Sequence, residues 1–239
     1  MNLPKKISPC PILESTVEIR FDSRVPSEAV FGIIYSEIQA QFPGQPEKMP
    51  ILQLPEEVRS KDPNLIYQPL YRLKNNNYLI SIGPKVISLS CTPPYSGWTE
   101  FSLKIQELLS KINKAKVISK TLRFGLRYIN FFDENIFNNI KFEITLDNTS
   151  LSLNQNYIRT ISKTKPFTIT LQIANSADIV TDNKTLKGSL IDIDIAAEGS
   201  NIDILNVTNG LLSEGHDQEK QLFFTLLKDE FLLTLNPEY

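Results

Sequence analysis

One histidine, His216, and two cysteines, Cys10 and Cys91, are the only imidazole and thiol groups in this 239-residue chain. Three such groups cannot complete a tetrahedral zinc site from His and Cys alone. A serine nucleophile would have to recruit His216 as its base, and no G-x-S-x-G elbow accompanies it. The phosphate loop G-x-x-x-x-G-K-[ST], the dinucleotide fingerprint G-x-G-x-x-G and the H-E-x-x-H metalloprotease helix are absent as well. These absences point away from the common enzyme classes and towards a binding protein, and they leave carboxylate chemistry open. No metal or other cofactor is called for.

Arginine is the more promising chemistry. In "LRFGLRYINFF", residues 122–132, strand alternation puts Leu122, Phe124, Leu126 and Tyr128 on one face and Arg123, Gly125, Arg127 and Ile129 on the other. Glycine between two arginines leaves a shallow spot flanked by guanidinium forks, a geometry suited to a phosphate or carboxylate. The competing expectation is structural: Arg20, Arg123 and Arg127 pair across strands with Glu14, Glu18 or Glu143. Asp192 and Asp194 in "LIDIDIAA" have the spacing to hold a divalent cation. Their alternation with Ile191, Ile193 and Ile195 favours a one-sided strand, with isoleucines inward and aspartates facing water. Tyr67, Tyr71 and Tyr78 lie among Arg72 and Lys74, an interleaving that binds single-stranded nucleic acid in some proteins and packs sheets in most.

These residues need elements to position them. Alternation predicts a strand at "ILESTVEIRF". A helix follows from Pro26 to Pro43-Gly44, with Val30, Ile34 and Ile38 on one face. The proline-rich stretch 43–64 reads as an extended excursion. Strands follow at "LIYQPLYRL", "NYLISI" and "KVISLS". The clearest helix is "SGWTEFSLKIQELLSKINK", with Ser96 as its expected N-cap. The arginine strand comes next. Four more strands follow ("IKFEITL", "TSLSLNQNYIRT", "PFTITLQIA" and "LKGSLIDIDIAAE"), and a long helix runs from about 202 to about 233. On that helix His216 shares an apolar stripe with Leu212, Phe223 and Leu227, with Glu219 and Lys220 bordering it. The fold class is therefore α+β, with antiparallel or mixed sheets and helices on one face. It divides into a β-α-β-β-β-α-β sub-domain, 1–132, and a four-stranded sheet with a long C-terminal helix, 133–239.

Composition is that of a folded chain, 41% hydrophobic and 22% charged, with a net charge of −2. The charge is unevenly spread. From Asp178 onwards 12 acidic residues face four lysines, a balance of −8, so the rest carries +6. Between Lys104 and Arg127 seven basic residues accompany Glu107 alone. Such asymmetry suits an anionic partner or internal neutralisation of one end by the other. The segment "MNLPKKIS" lacks an apolar stretch behind its lysines, no run has membrane-spanning length, and two cysteines make no disulfide framework. The expectation is a cytoplasmic protein with reduced thiols and no membrane partner.

Three stretches occur together in order: "PILESTVEIRF", "LRFGLRYINFF" and "LLSEGHDQEKQLFFTLLKDEF". Through Pro11, Glu14, Glu18, Ile19, Arg20 and Phe21, then Arg123, Leu126, Arg127, Tyr128 and Asn130, then His216 and Phe224, the chain resembles a family of uncharacterised prokaryotic proteins. That family is scattered sporadically across bacteria and archaea, and the resemblance spans nearly the whole chain. The scatter resembles that of horizontally moved accessory genes, including defence and toxin–antitoxin modules. The resemblance singles out Arg20, Arg123, Arg127, Asn130 and His216 as a ligand-binding set. Three functions stand open at this point. The first is a non-catalytic component that engages a protein partner. The second is an enzyme or sensor for a phosphorylated or nucleotide ligand, with Arg123 and Arg127 as clamp and His216 as acid or base. The third is nucleic-acid binding through 104–127.

Overall fold

Strand-forming alternation sets the first element, β1 (Ile12–Ser23), in which Val17, Ile19 and Phe21 are buried. The structure is a computed structural model that describes all residues except 1–2, 144, 148, 151–154, 182–183 and 200–201. The chain continues through α1 (Ser27–Ile38), β2 (Glu47–Lys48), a 3₁₀ turn (Pro50–Gln53), α2 (Glu56–Lys61), β3 (Tyr71–Asn75), β4 (Tyr78–Gly83) and β5 (Val86–Cys91). Then come α3 (Trp98–Ala115), β6 (Ile118–Phe132), a 3₁₀ turn (Ile136–Asn138), β7 (Thr145–Leu146) and β8 (Thr149–Ser150). The last elements are β9 (Tyr157–Thr164), β10 (Phe167–Thr181), β11 (Lys184–Glu198), α4 (Ile204–Asn206), a π turn (Val207–Leu211), α5 (Leu212–Leu226) and α6 (Asp229–Thr234).

This is an α+β fold. The hydrogen-bonded strand order is β2-β3-β4-β5-β1-β6-β11-β10-β9, with β7 and β8 a separate two-stranded hairpin. Each of the recorded pairings among these strands is antiparallel. The chain falls into two compact units: residues 14–126 with 196–213, and residues 1–13, 127–195 and 214–239. In the first, Val30, Ile34 and Ile38 of α1 and Phe101, Ile105, Leu109 and Ile112 of α3 are nearly solvent-free, as their helical spacing requires. In the second, Ile173, Ile191, Ile193 and Ile195 form the sheet's buried face.

Several expectations change, each for a physical reason. Ser96 does not cap α3. The cap is Gly97 at φ +86°, and the Ser96 hydroxyl instead meets the Tyr78 hydroxyl at 2.5 Å. The proline-rich stretch holds a 3₁₀ turn and α2, because Pro50 and Pro55 stand at the starts of helical turns, where a missing N–H has no consequence. Residues 63–67 form a turn, and the strand expected from Leu65 begins only at Tyr71. "IKFEITL" contributes just the two strand residues of β7. The strand expected at 149–160 lies partly outside the described residues, at 151–154, and is present as β9 from Tyr157. The final helix is not continuous. Lys228 turns extended because residues 139–141 capture the backbone, with Lys141 N–H donating to Leu226 O and Lys228 N–H to Asn139 O. No described helix is long and apolar enough to cross a membrane.

Candidate functional site

β1 and the first half of β6 supply two of the expected arginines. Arg20 Nε and Arg123 Nη1 donate to the same oxygen of Glu18, at 2.7 and 2.9 Å. Arg123 Nε also lies 3.6 Å from the Glu198 carboxylate, and the Arg20 guanidinium stands 4.8 Å above the Tyr67 ring. A carboxylate facing two guanidiniums satisfies both, so this cluster is an internally neutralised network.

Gly125 sets its geometry. A Cβ at that position would collide with Nη1 and Cζ of Arg123, so the guanidinium lies directly over the glycine. The shallow spot expected between two arginines is therefore filled by one of them. A phosphate would have to displace Arg123 from Glu18 to enter.

Arg127, Asn130 and His216 belong to the other unit, and strand parity separates them there. Arg127 projects from one face of β6 and makes a bidentate pair with Asp192, Nε to Oδ1 at 2.8 Å and Nη2 to Oδ2 at 2.6 Å. Gln172 donates Nε2–H to the same carboxylate at 2.9 Å, and the Tyr157 hydroxyl bonds Gln172 Oε1. Asp192 is thus 8% exposed, and the expectation that it faces water is corrected: Arg127 and Gln172 cover it. Tyr128 and Asn130 occupy the opposite, buried face of β6. Asn130 donates Nδ2–H to Ile191 O at 3.4 Å. His216 Nδ1 sits 3.3 Å from the Tyr128 hydroxyl, with ring centroids 6.0 Å apart. Within this unit α5 covers the Tyr128 side, so His216 cannot share a ligand with Arg127 through the strand between them.

The helix carries a feature that no sequence motif marks. Glu219, expected only to border the histidine, is itself buried at 6% exposure on the stripe formed by Leu212, Gly215 and Phe223. Burial pushes its carboxyl up to about 8, against a smaller opposing effect of the Lys220 charge. Burial also lowers the His216 imidazole to about 4, helped by Lys220. Adjacent turns of one helix therefore hold a neutral carboxylic acid and a neutral imidazole at pH 6.

The tyrosines do not form a stacking platform either. Tyr78 is buried, its phenol pushed up to about 12 by burial, and its hydroxyl donates to Glu100 at 3.0 Å. Tyr71 stacks on Phe31 at 4.0 Å, and Tyr67 lies beneath Arg20. In the basic segment Lys104 pairs with Glu107 and Lys114 with Glu37. Among the described residues no three His, Cys, Asp or Glu side chains gather into a metal cage.

Comparison with protein-family models and with curated proteins finds no match. Exposed apolar and cationic side chains come together on β9. This strand pairs with β10 on one side, from Phe167↔Thr164 to Ala174↔Tyr157, and ends the sheet order. Its inner-side residues opposite the buried Phe167, Ile169 and Leu171 are Thr164, Ser162 and Thr160, all exposed, so the strand overhangs the core that β10 covers. The other face shows Tyr157, 63% exposed, and Ile161, 53% exposed. Between Tyr157 and Phe167 stand Arg159, Lys163 and Lys165 and no acidic residue.

Proposed function

We propose that the chain is a non-catalytic binding component of a prokaryotic accessory system, of the defence or toxin–antitoxin kind, and that it engages a protein partner by strand addition at β9. The accessory-system part rests on the sequence resemblance. The partner part rests on one observation: an eight-residue strand with a second edge that no described strand covers and with two large apolar side chains in solvent. Such an edge presents a row of N–H and C=O groups that templates another strand unless it is blocked. Lysines guard edges against neutral strands, and the cationic run from Arg159 to Lys165 favours an extended segment carrying Asp or Glu between apolar residues.

The arginines support this reading by their occupation. Arg20, Arg123 and Arg127 each hold a carboxylate of their own chain, which stiffens the sheet and leaves the clamp for a phosphorylated ligand without its anion site. Ile161→Asp is the test. Its side chain is exposed, so the melting temperature stays unchanged. Binding of the partner, isolated from the native host and titrated calorimetrically, weakens at least tenfold, about 1.4 kcal/mol. Undiminished binding by this variant would remove the assignment to β9.

A further inference from the structure

A cavity of about 460 Å³ lies wholly within the unit 14–126, between α1, α2 and the β4–β5 hairpin. Its size falls within the range of roughly 300–1,000 Å³ typical of small-molecule sites. The sequence dictates how it opens. Gly83 lets the chain at 68–69 approach the hairpin, since a Cβ there would meet Gln68 O at 2.5 Å and Pro69 Cα at 3.2 Å. Leu52, Leu65 and Ile66 line the cavity together with the stacked Phe31 and Tyr71 rings.

The polar lining divides sharply. Lys85 is tied to Asp22 at 3.1 Å. Glu28 and Glu56 lie exposed in the lining. Arg59 is half-buried, and it donates Nε–H to Leu54 O at 3.0 Å. Among the described residues it has no carboxylate within ion-pair distance, so its two terminal nitrogens have no anion to hold. A guanidinium in the lining of a cavity, steadied by a backbone carbonyl, is an anchor for one anionic group. The two carboxylates oppose a second negative charge.

We propose that this cavity binds a small molecule with a flat apolar body and a single negative charge, the body against Tyr71 and the anion on Arg59. Carboxylates, sulfonates and phosphodiesters share that chemistry, whereas polyphosphates do not. The site is separate from β9, and either can fail without the other.

The probe is 8-anilinonaphthalene-1-sulfonate, a bicyclic body with one sulfonate, read by fluorescence on the folded chain. Wild type is expected to saturate at one molecule per chain. Arg59→Gln should weaken binding about tenfold, as loss of a charge-assisted pair requires. Ser60→Trp, which fills the cavity from an exposed position, should abolish it. The uncharged analogue N-phenyl-1-naphthylamine should bind wild type and Arg59→Gln equally. Absence of saturable binding would overturn the proposal. So would equal sulfonate affinity in wild type and Arg59→Gln, or retention of the site in Ser60→Trp.

Discussion

Glu219→Gln raises the stability of the protein by roughly 4 kcal/mol at pH 7.5 and by only about 1 kcal/mol at pH 5, when unfolding is followed in urea. The reason is a buried acid whose folded value stands at about 8 against an ordinary 4.5. Between those two values the folded chain holds a proton that the unfolded chain releases, so stability is full below pH 4.5 and falls as pH rises towards 8. His216 works in the opposite sense. Its folded value of about 4 lies below the ordinary 6.5, so the unfolded chain takes the proton first, and stability falls as pH drops from 6.5 to 4. The two slopes cancel between pH 4.5 and 6.5. The wild-type profile therefore has a flat top there, declines above pH 6.5 through Glu219, and declines below 4.5 through His216. Glutamine removes the alkaline decline. A profile that keeps that decline in Glu219→Gln would mean the carboxyl is ionised in the fold.

Gly125→Ala destabilises by about 2 kcal/mol, the scale of an overpacked site. The new methyl must push the Arg123 guanidinium off the glycine and away from Glu18, leaving that carboxylate with Arg20 alone. The interaction is specific enough for a double-mutant cycle. In an Arg123→Ala background the same glycine substitution is expected to lose most of its effect, because the colliding group is gone. A loss of equal size in both backgrounds would place the strain elsewhere. An open anion notch at Gly125 predicts a near-neutral alanine instead.

The contrast between these two positions shows what the sequence made readable. Helical spacing put His216 on a stripe with Leu212 and Phe223, and the same arithmetic reaches Glu219, seven residues after Leu212 and four before Phe223. A carboxylate reads as a solvent-facing residue by type, so the spacing signal was outweighed, although burial of the neutral acid reconciles the two. Alternation along 122–129 puts Phe124, Leu126 and Tyr128 on the buried side as expected, although Leu122 is only half-buried and Gly125 is buried too; parity alone separates Arg127 from Asn130 and Tyr128. Asp192 as the partner of Arg127 was not legible, because the pair is 65 residues apart and depends on the register of β6 against β11. The place of β9 at the end of the sheet depends likewise on long-range pairing. Its composition carries a weaker sign: "YIRTISKT" lacks a consistently apolar face, as a strand beyond the core should. Gly125 was recognised as a missing side chain, but the arginine two residues before it, folding back over the gap, follows only from three-dimensional packing.

Amide hydrogen exchange on the complex with the native partner tests the central claim most directly. Strand addition at β9 predicts that, within residues 158–164, the amides directed away from β10 slow by at least tenfold on binding, while those already bonded to β10 change little. Unchanged exchange throughout 158–164, with protection appearing instead around Arg20 and Arg123, would contradict it and return the arginine cluster to the role of binding surface.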